Sequence, residues 1–424
     1  MNKIKFVWAV IALMIIPNIA FTLNTTNSPY TRYGYGSLAD KAFASQRAMG
    51  GIGYGLRNPS MINPMNPASY SGVDSMTFMF DAGVMAQYSW FQDENGKERR
   101  LNGNLEYVAI QFPLMKRLGL GVGLEPVSYV GYHYGTTEKL DLINGYAQME
   151  YIGNGGLSKV YGALSYDLFK RLSLGVKVAY LFGDIIHNRI GYISDQTGYN
   201  INWIDTLRTS GLVYDLGLQY RQPLGNYKTL VVGLVYTPKT QVHGGIRQGT
   251  LGLSSSGTVI NSQNYSTTDS VFEMPESYGF GFTLNKLYHY TFGADVLYQR
   301  WADAKFYDIT NALNNRLKFN IGGEYIPNLM TNNYFNRIRY RAGLFYTNSY
   351  VKVQKTGYED SGYKEYGAGI GVGLPMVDRR SFINLALEYS VVQPEIKAFV
   401  KEQYFKITLS YTFNESWFFK QRLQ

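Results

Sequence analysis

Thiol and imidazole chemistry is nearly absent from these 424 residues: there is no cysteine, and the histidines are His133, His187, His243 and His289. None of the four stands in a nucleophile, metal-ligand or acid/base spacing, so no enzyme activity, metal or cofactor is expected. Gly50-Gly51-Ile52-Gly53-Tyr54-Gly55 has the glycines of a phosphate loop, yet no strand precedes it and no P-loop lysine follows. What remains is charge. Lys177, Asp215, Asp295, Lys318, Glu324, Arg339, Arg341, Glu388 and Lys406 fall within alternating runs, on the face opposite the apolar residues. Charges facing an interior need partners, and mixed signs on neighbouring strands supply them. They read as a network that solvates and braces a lumen, with Arg339 and Arg341 the candidates for binding a carboxylate.

The elements that place these charges repeat with a period of two. Phe405, Ile407, Leu409, Tyr411 and Phe413 share one face, and Lys406, Thr408, Ser410 and Thr412 the other. Ile383, Leu385, Leu387 and Tyr389 alternate in the same way with Asn384, Ala386 and Glu388. About fourteen such runs follow Ser75. Their connectors alternate between tight turns, such as Met115-Lys116 and Phe169-Lys170-Arg171, and longer polar segments at 92–102, 135–156, 195–207, 247–269, 304–315, 353–363 and 395–401. This is the pattern of an all-β, transmembrane antiparallel β-barrel with its termini on the short-turn, periplasmic side. Tyrosines and other aromatics near the strand ends, including Tyr88, Trp90, Phe91, Tyr107, Tyr166, Tyr220, Tyr236, Tyr298, Tyr325 and Tyr346, suit the two lipid–water boundaries. Outward Leu385 and Leu409 should resist arginine, and inward Ala386 and Ser410 should accept it better.

Composition agrees: 45 Gly, 38 Tyr and 23 Phe favour many strands with tight turns, and charged residues are only 17%. A mean hydropathy of -0.19 does not oppose a membrane barrel, since half of each strand is polar. The net charge of +9 is scattered, so nucleic acid is not an expected partner. Lys3 and Lys5 followed by an apolar run from Phe6 to Leu23 have the form of a signal peptide. The expected organisation is a signal peptide at 1–24, a hatch at 25–74, a barrel at 75–414 and a periplasmic tail at 415–424 carrying Trp417-Phe418-Phe419-Lys420. The 25–74 segment is too small and Gly-rich to bury its own core, and the lumen of a fourteen-stranded barrel would house it.

The whole arrangement resembles the FadL family of long-chain fatty-acid and hydrocarbon transporters, in the form found in Bacteroidetes. The likeness rests on the signal peptide, on Arg47-Ala48-Met49-Gly50-Gly51 leading to Asn66-Pro67-Ala68, on the strand count, and on Asn154-Gly155-Gly156-Leu157 ahead of the fourth strand. It implies an N-terminal hatch plugging the lumen, with Asn66, Pro67 and Ala68 as its motif. It also implies a lateral gate at an inward kink of the third strand, here Glu125, Pro126 and Val127; a plain bulge is the alternative at that point. Passive uptake of hydrophobic small molecules across the outer membrane is the function the resemblance implies. A plugged accessory barrel of an outer-membrane secretion or barrel-assembly complex is the alternative. Outer-membrane lipid and lipopolysaccharide are expected neighbours, with hydrophobic cargo and protein-complex partners as candidates.

Overall fold

The computed structural model describes residues 26–94, 96–140, 145–193, 200–254, 258–353, 361–396 and 399–416. The signal segment 1–24 and the Trp417–Lys420 tail lie outside these residues. Described strands are β1 (Ser37–Leu38), β2 (Thr77–Gln92), β3 (Lys97–Met115), β4 (Leu118–Leu140), β5 (Gly145–Asp167), β6 (Leu172–Ile193), β7 (Asn200–Gly225), β8 (Lys228–Thr237) and β9 (Thr240–Leu253). They continue with β10 (Val259–Met274), β11 (Ser277–Lys286), β12 (Tyr290–Gln299), β13 (Arg316–Tyr325), β14 (Arg339–Asn348), β15 (Tyr363–Pro375), β16 (Phe382–Pro394) and β17 (Lys401–Ser416). Short helical turns are α1 (Ala44–Arg47) and α2 (Tyr334–Arg337).

All neighbours pair antiparallel, and β17 closes on β2 from Ser416↔Thr77 to Lys401↔Gln92. Closure leaves no unpaired edge along that seam, the condition for a sheet to stand in lipid. β8 and β9 are one stave interrupted at Pro238, and β10 and β11 one stave interrupted at Pro275, because proline cannot donate to the ladder. With β1 lying inside, the result is a closed fourteen-strand barrel, as the alternation predicts.

Period two holds along the wall. Leu164, Leu174, Val176, Val178, Phe280, Phe319, Ile321, Leu344, Ile370 and Leu409 are exposed outward, while Ala163, Lys177, Ala179, Asn320, Ala386 and Ser410 are buried inside. Tyr166, Tyr220, Tyr236, Tyr298, Tyr325 and Tyr346 also point outward. Phe91 and Tyr107 do not: both are buried, and Tyr107 stacks on Phe43 with ring centroids 3.6 Å apart. A bulge at Glu106 of β3, opposite Gly83 and Val84 of β2, slips the β2–β3 register, so consecutive Glu106 and Tyr107 both turn inward.

Four hairpins run further than the sequence pattern predicts. β2 and β3 pair as far as Gln92↔Lys97, β4 and β5 as far as Leu140↔Gly145, β6 and β7 as far as Gly191↔Ile201, and β9 and β10 as far as Leu253↔Val259. These residues fall in the polar segments expected as loops. Outside an apolar layer neither sheet face needs to be hydrophobic, so the ladder continues where the alternation fades.

Leu409→Arg is expected to cost about 2–4 kcal/mol when the barrel folds into a bilayer, because it sets a charge on the apolar outer face. Lys406→Gln, three residues from it on β17 and facing the cavity, should change stability little. Ala386 and Ser410 are 0% and 2% exposed, so neither accepts arginine, contrary to the expectation from alternation. Refolding titrations in urea with lipid vesicles give the comparison; equal losses for Leu409→Arg and Lys406→Gln would contradict a lipid-facing outer surface.

Candidate functional site

The wall reserves space inside itself by leaving out side chains. A Cβ added at Gly119 or Gly121 of β4 would lie 2.1 or 2.0 Å from Tyr70, one at Gly175 of β6 2.3 Å from the Ala68 nitrogen, and one at Gly217 of β7 2.3 Å from Asn66 Oδ1. Across the barrel, Gly322 and Gly343 meet Met49 and Gly50 at 2.2 and 2.3 Å in the same sense. The segment 26–73 therefore packs against the inward glycines of widely separated staves, and most of it is buried.

Local chemistry folds that segment into its own turns. Asn66 starts the 3-10 turn Pro67–Gly72: its Oδ1 accepts from the Ala68 N–H at 2.9 Å, and Pro67 has no N–H to satisfy. The Asn66 amide also donates to the Tyr54 and Leu218 carbonyls at 2.8 and 3.2 Å, tying the turn to β7. After α1, Gly50 and Gly51 adopt φ of 68° and 83°, and their N–H groups cap the Arg47 and Gln46 carbonyls at 2.9 and 2.8 Å. Only glycine takes these angles without strain.

Ion pairs then fix the segment to the wall. Lys177 lies 3.4 Å from Glu125 and 3.1 Å from Asp215, and donates to the Pro64 carbonyl at 3.0 Å. Lys159 sits 2.8 Å from Glu125, and Lys41 3.7 Å from Asp215. Opposite, Lys318 reaches Asp40 at 2.5 Å. Arg47 pairs with Glu106 and lies 3.7 Å from Glu388, while the Tyr129 hydroxyl donates to Glu106 at 3.2 Å. Asp295 Oδ2 accepts from the Gly53 and Tyr54 N–H groups at 2.6 and 2.9 Å. Burial works against the Asp40 carboxylate, but Lys318 and Arg47 hold it well below the usual carboxylate range. Burial, opposed by Asp215 and aided by the like charges of Lys159 and Lys177, pulls the Lys41 ammonium down to about 8.

Glu324, Arg339 and Arg341 form a separate group nearer the short turns: Arg341 lies 2.8 Å and Arg339 3.6 Å from Glu324, and Arg341 donates to Asn384 at 2.8 Å. Arg339 also lies over the Phe382 ring at 4.2 Å. Alternation finds all these charges. It misses Glu106, which the bulge re-aims, and Lys159, Asp40 and Lys41, whose roles appear only when the segment is docked.

At Glu125–Val127 the wall changes partners. β3–β4 pairing runs from Met115↔Leu118 to Val108↔Leu124, and the β4–β5 register slips between Pro126 and Ser128. Above that slip β4 pairs on its other side with β1, Ser128↔Leu38 and Tyr129↔Ser37. Glu125 is buried in the charge network, while Pro126 and Val127 border a space of ≈ 1870 Å³, part of it continuous with solvent. Asn104 and Glu106 of β3 border the same space from the other side of the parting. The histidines contribute nothing to it: His133 bonds Glu150, His187 bonds the Tyr132 hydroxyl at 2.6 Å, and His243 and His289 stand apart on β9 and in the β11–β12 turn.

A family model named BamG matches residues 1–424, the entire chain. The chain belongs to the BamG family. Solved structures similar to this BamG-family chain include the Pseudomonas putida toluene transporter TodX, 16% identical, covering 90% of this chain and 100% of that one at a TM-score of 0.61. The CymD monoaromatic hydrocarbon channel is 13% identical over 92% of this chain and 100% of its own, with a TM-score of 0.57. A Pseudomonas aeruginosa FadL homologue is 12% identical over 89% and 99%, also at 0.57. These likenesses establish a FadL-like barrel fold. No curated protein matches the chain.

Lys177→Met leaves Glu125 with Lys159 and Asp215 with Lys41, so its cost should sit near the lower end for a broken buried pair, about 3 kcal/mol. Urea unfolding of the lipid-embedded barrel measures it, and no measurable loss would mean the network carries no stability.

Proposed function

We propose that this chain is a plugged outer-membrane barrel acting as an accessory subunit of a secretion or barrel-assembly complex rather than as an open conduit. In this reading residues 25–74 are the hatch, Asn66, Pro67 and Ala68 are its seating motif, and both ends of the barrel lie on the periplasmic side. The observation that carries it is the character of the internal space. Its border sets Lys41, Arg47, Lys159, Arg316, Lys318 and Lys406 and Asp40, Glu106, Asp215, Glu365, Glu388 and Glu402 among apolar side chains such as Met65, Leu181, Val213 and Leu297. A hydrocarbon gains roughly 25 cal/mol per Å² buried against the apolar part, but the charges set among it keep their water and oppose a continuous apolar path. The ion pairs that dock the segment to opposite sides of the barrel also oppose its displacement. The family name, distinct from those of the channels sharing the fold, supports the same reading.

A second reading, hydrophobic uptake, has one observation in its favour: the parting of β3 and β4 above Leu124, with Pro126 and Val127 bordering the internal space. The solved neighbours TodX and CymD are hydrocarbon channels by title. On that reading Glu125, Pro126 and Val127 are the lateral gate.

Purification in mild detergent through an affinity tag should retain another outer-membrane complex with the full-length chain, and planar-bilayer recordings should give little conductance. Removing residues 27–74 should raise conductance sharply if the heat-shifted gel migration of a folded barrel is kept. A chain that purifies alone and conducts would overturn the accessory reading. Pro126→Val tests the second reading separately: a gate requires hydrophobic uptake to fall with the amount of folded barrel unchanged.

A further inference from the structure

The short-turn rim is built differently on its two sides. The turns β15–β16, β3–β4 and β5–β6 each carry two exposed cations in succession: Arg379-Arg380, Lys116-Arg117 and Lys170-Arg171. Among the described residues, none of the six lies within ion-pairing distance of a carboxylate. Asp378 shares the first of these turns, but its oxygens accept from the Arg380 and Ser381 backbone N–H groups at 3.1 and 3.0 Å and from the Ser381 hydroxyl at 2.6 Å. Each pair stands beside an apolar side chain thrust into solvent: Val377 is 100%, Met115 64% and Phe169 63% exposed. By contrast, on the long-hairpin side Arg189, Arg208 and Arg300 pair with Asp205, Asp184 and Glu276 at 3.1, 2.8 and 2.9 Å.

These three turns follow one another around the rim, separated only by the place where β2 begins and β17 ends. At about 4.8 Å per strand they span an arc of roughly 30 Å. The remaining turns, β7–β8, β11–β12 and β13–β14, expose Tyr227, Tyr288 and Phe335 without such cation pairs. A bilayer leaflet presents the same headgroups all round a barrel. One-sided, unpaired charge with apolar tips fits a partner on one side.

Resting on the accessory-subunit reading, we propose that this arc is the docking surface for a protein partner with an acidic face on the short-turn side, and that the apolar tips enter shallow pockets between its carboxylates. Cations left unpaired in the free chain steer such an encounter and make it salt-dependent, and the apolar tips slow its dissociation. The patch is about as wide as one side of a standard protein interface.

The test uses the full chain in mild detergent. Zero-length carbodiimide coupling, which joins an amine to a carboxylate, should link Lys116 and Lys170 to Asp or Glu residues of the co-purified partner, mapped by mass spectrometry. K116Q/R117Q/K170Q/R171Q/R379Q/R380Q should reduce retention of that partner at least tenfold at low salt, with gel heat-shift confirming a folded barrel. The wild-type complex should likewise loosen as salt rises. Phe169→Ser alone should weaken retention less and leave its salt dependence unchanged. If the wild type retains a partner and the sixfold variant retains it equally, the docking surface is elsewhere while the accessory reading stands. If the wild type retains none, that reading fails first. If the variant keeps its partner but no longer binds vesicles of 3:1 phosphatidylethanolamine and phosphatidylglycerol, the arc is a lipid surface and the proposal is overturned.

Discussion

A sheet that closes on itself satisfies its backbone along the seam, and in doing so it creates an inside that something must fill. Fourteen staves enclose more space than their own side chains occupy. Here the filling comes from the same chain, as a segment with almost no regular structure. Such a segment cannot hold its shape by helix or sheet hydrogen bonds alone, so its position depends on pairing buried charges across the interior. Lys41 on Asp215, Lys318 on Asp40, and Arg47 between Glu106 and Glu388 tie it to opposite walls. Removing one member of such a pair leaves the other buried without its partner, which makes each contact specific as well as attractive. Glycines on the wall and charges on the wall are therefore two halves of one device: the first admits the segment and the second registers it.

That device also explains the break in the barrel. Pro126 cannot donate to a ladder, and above it β4 leaves β3 and takes up β1 of the internal segment. Strand edges rarely stay open, so an edge given up on the wall is covered from inside. Glu106 joins the two sides of the parting, receiving Arg47 from the segment and the Tyr129 hydroxyl from β4. A shift of the segment must therefore be felt at this place in the wall, and a ligand entering here would have to part an ion pair and a hydrogen bond before meeting the interior.

Much of this was legible in the sequence because lipid imposes a strict period. Leu409 against Ser410, or Val176 against Lys177, sorts outward from inward residues without any knowledge of neighbours, and the strand count follows. The same rule placed Lys318, Glu324, Arg341 and Glu388 inside. It failed where the period itself breaks. The bulge at Glu106, opposite Gly83, turns Glu106 inward beside Tyr107, which therefore sits in the core rather than at a lipid boundary. It failed again beyond the membrane layer, where Gly135-Thr136-Thr137 continue β4 with water on both faces and no apolar signal to read. Asp40 and Lys41 carried no pattern at all, since a segment without periodicity declares its contacts only through the surface it lies on. The turn chemistry of Asn66-Pro67-Ala68 and Gly50-Gly51 was readable, but Gly175 of β6 and Gly217 of β7, which receive the first of these turns, give no local sign of it.

Shared architecture and shared activity separate at this interior. Chains 12–16% identical to this one build the same barrel, because closure, alternation and tight turns constrain composition far more than sequence. What moves through such a barrel depends on the few side chains lining the path. An apolar molecule is drawn inward only by surface that water wets poorly, and its transfer must also beat the cost of stripping water from any charge it passes. The space here is bordered by Met65, Met85, Leu181, Val213, Leu297 and Phe345 as well as by lysines, arginines and carboxylates, so it offers the first only beside the second. The same wall is well suited to keeping a buried segment fixed, since each added ion pair raises the cost of shifting it. The ion pairs that register the segment are thus also what any molecule crossing the interior would have to pass, so the fixing of the segment and the passage of a solute are opposed by the same contacts.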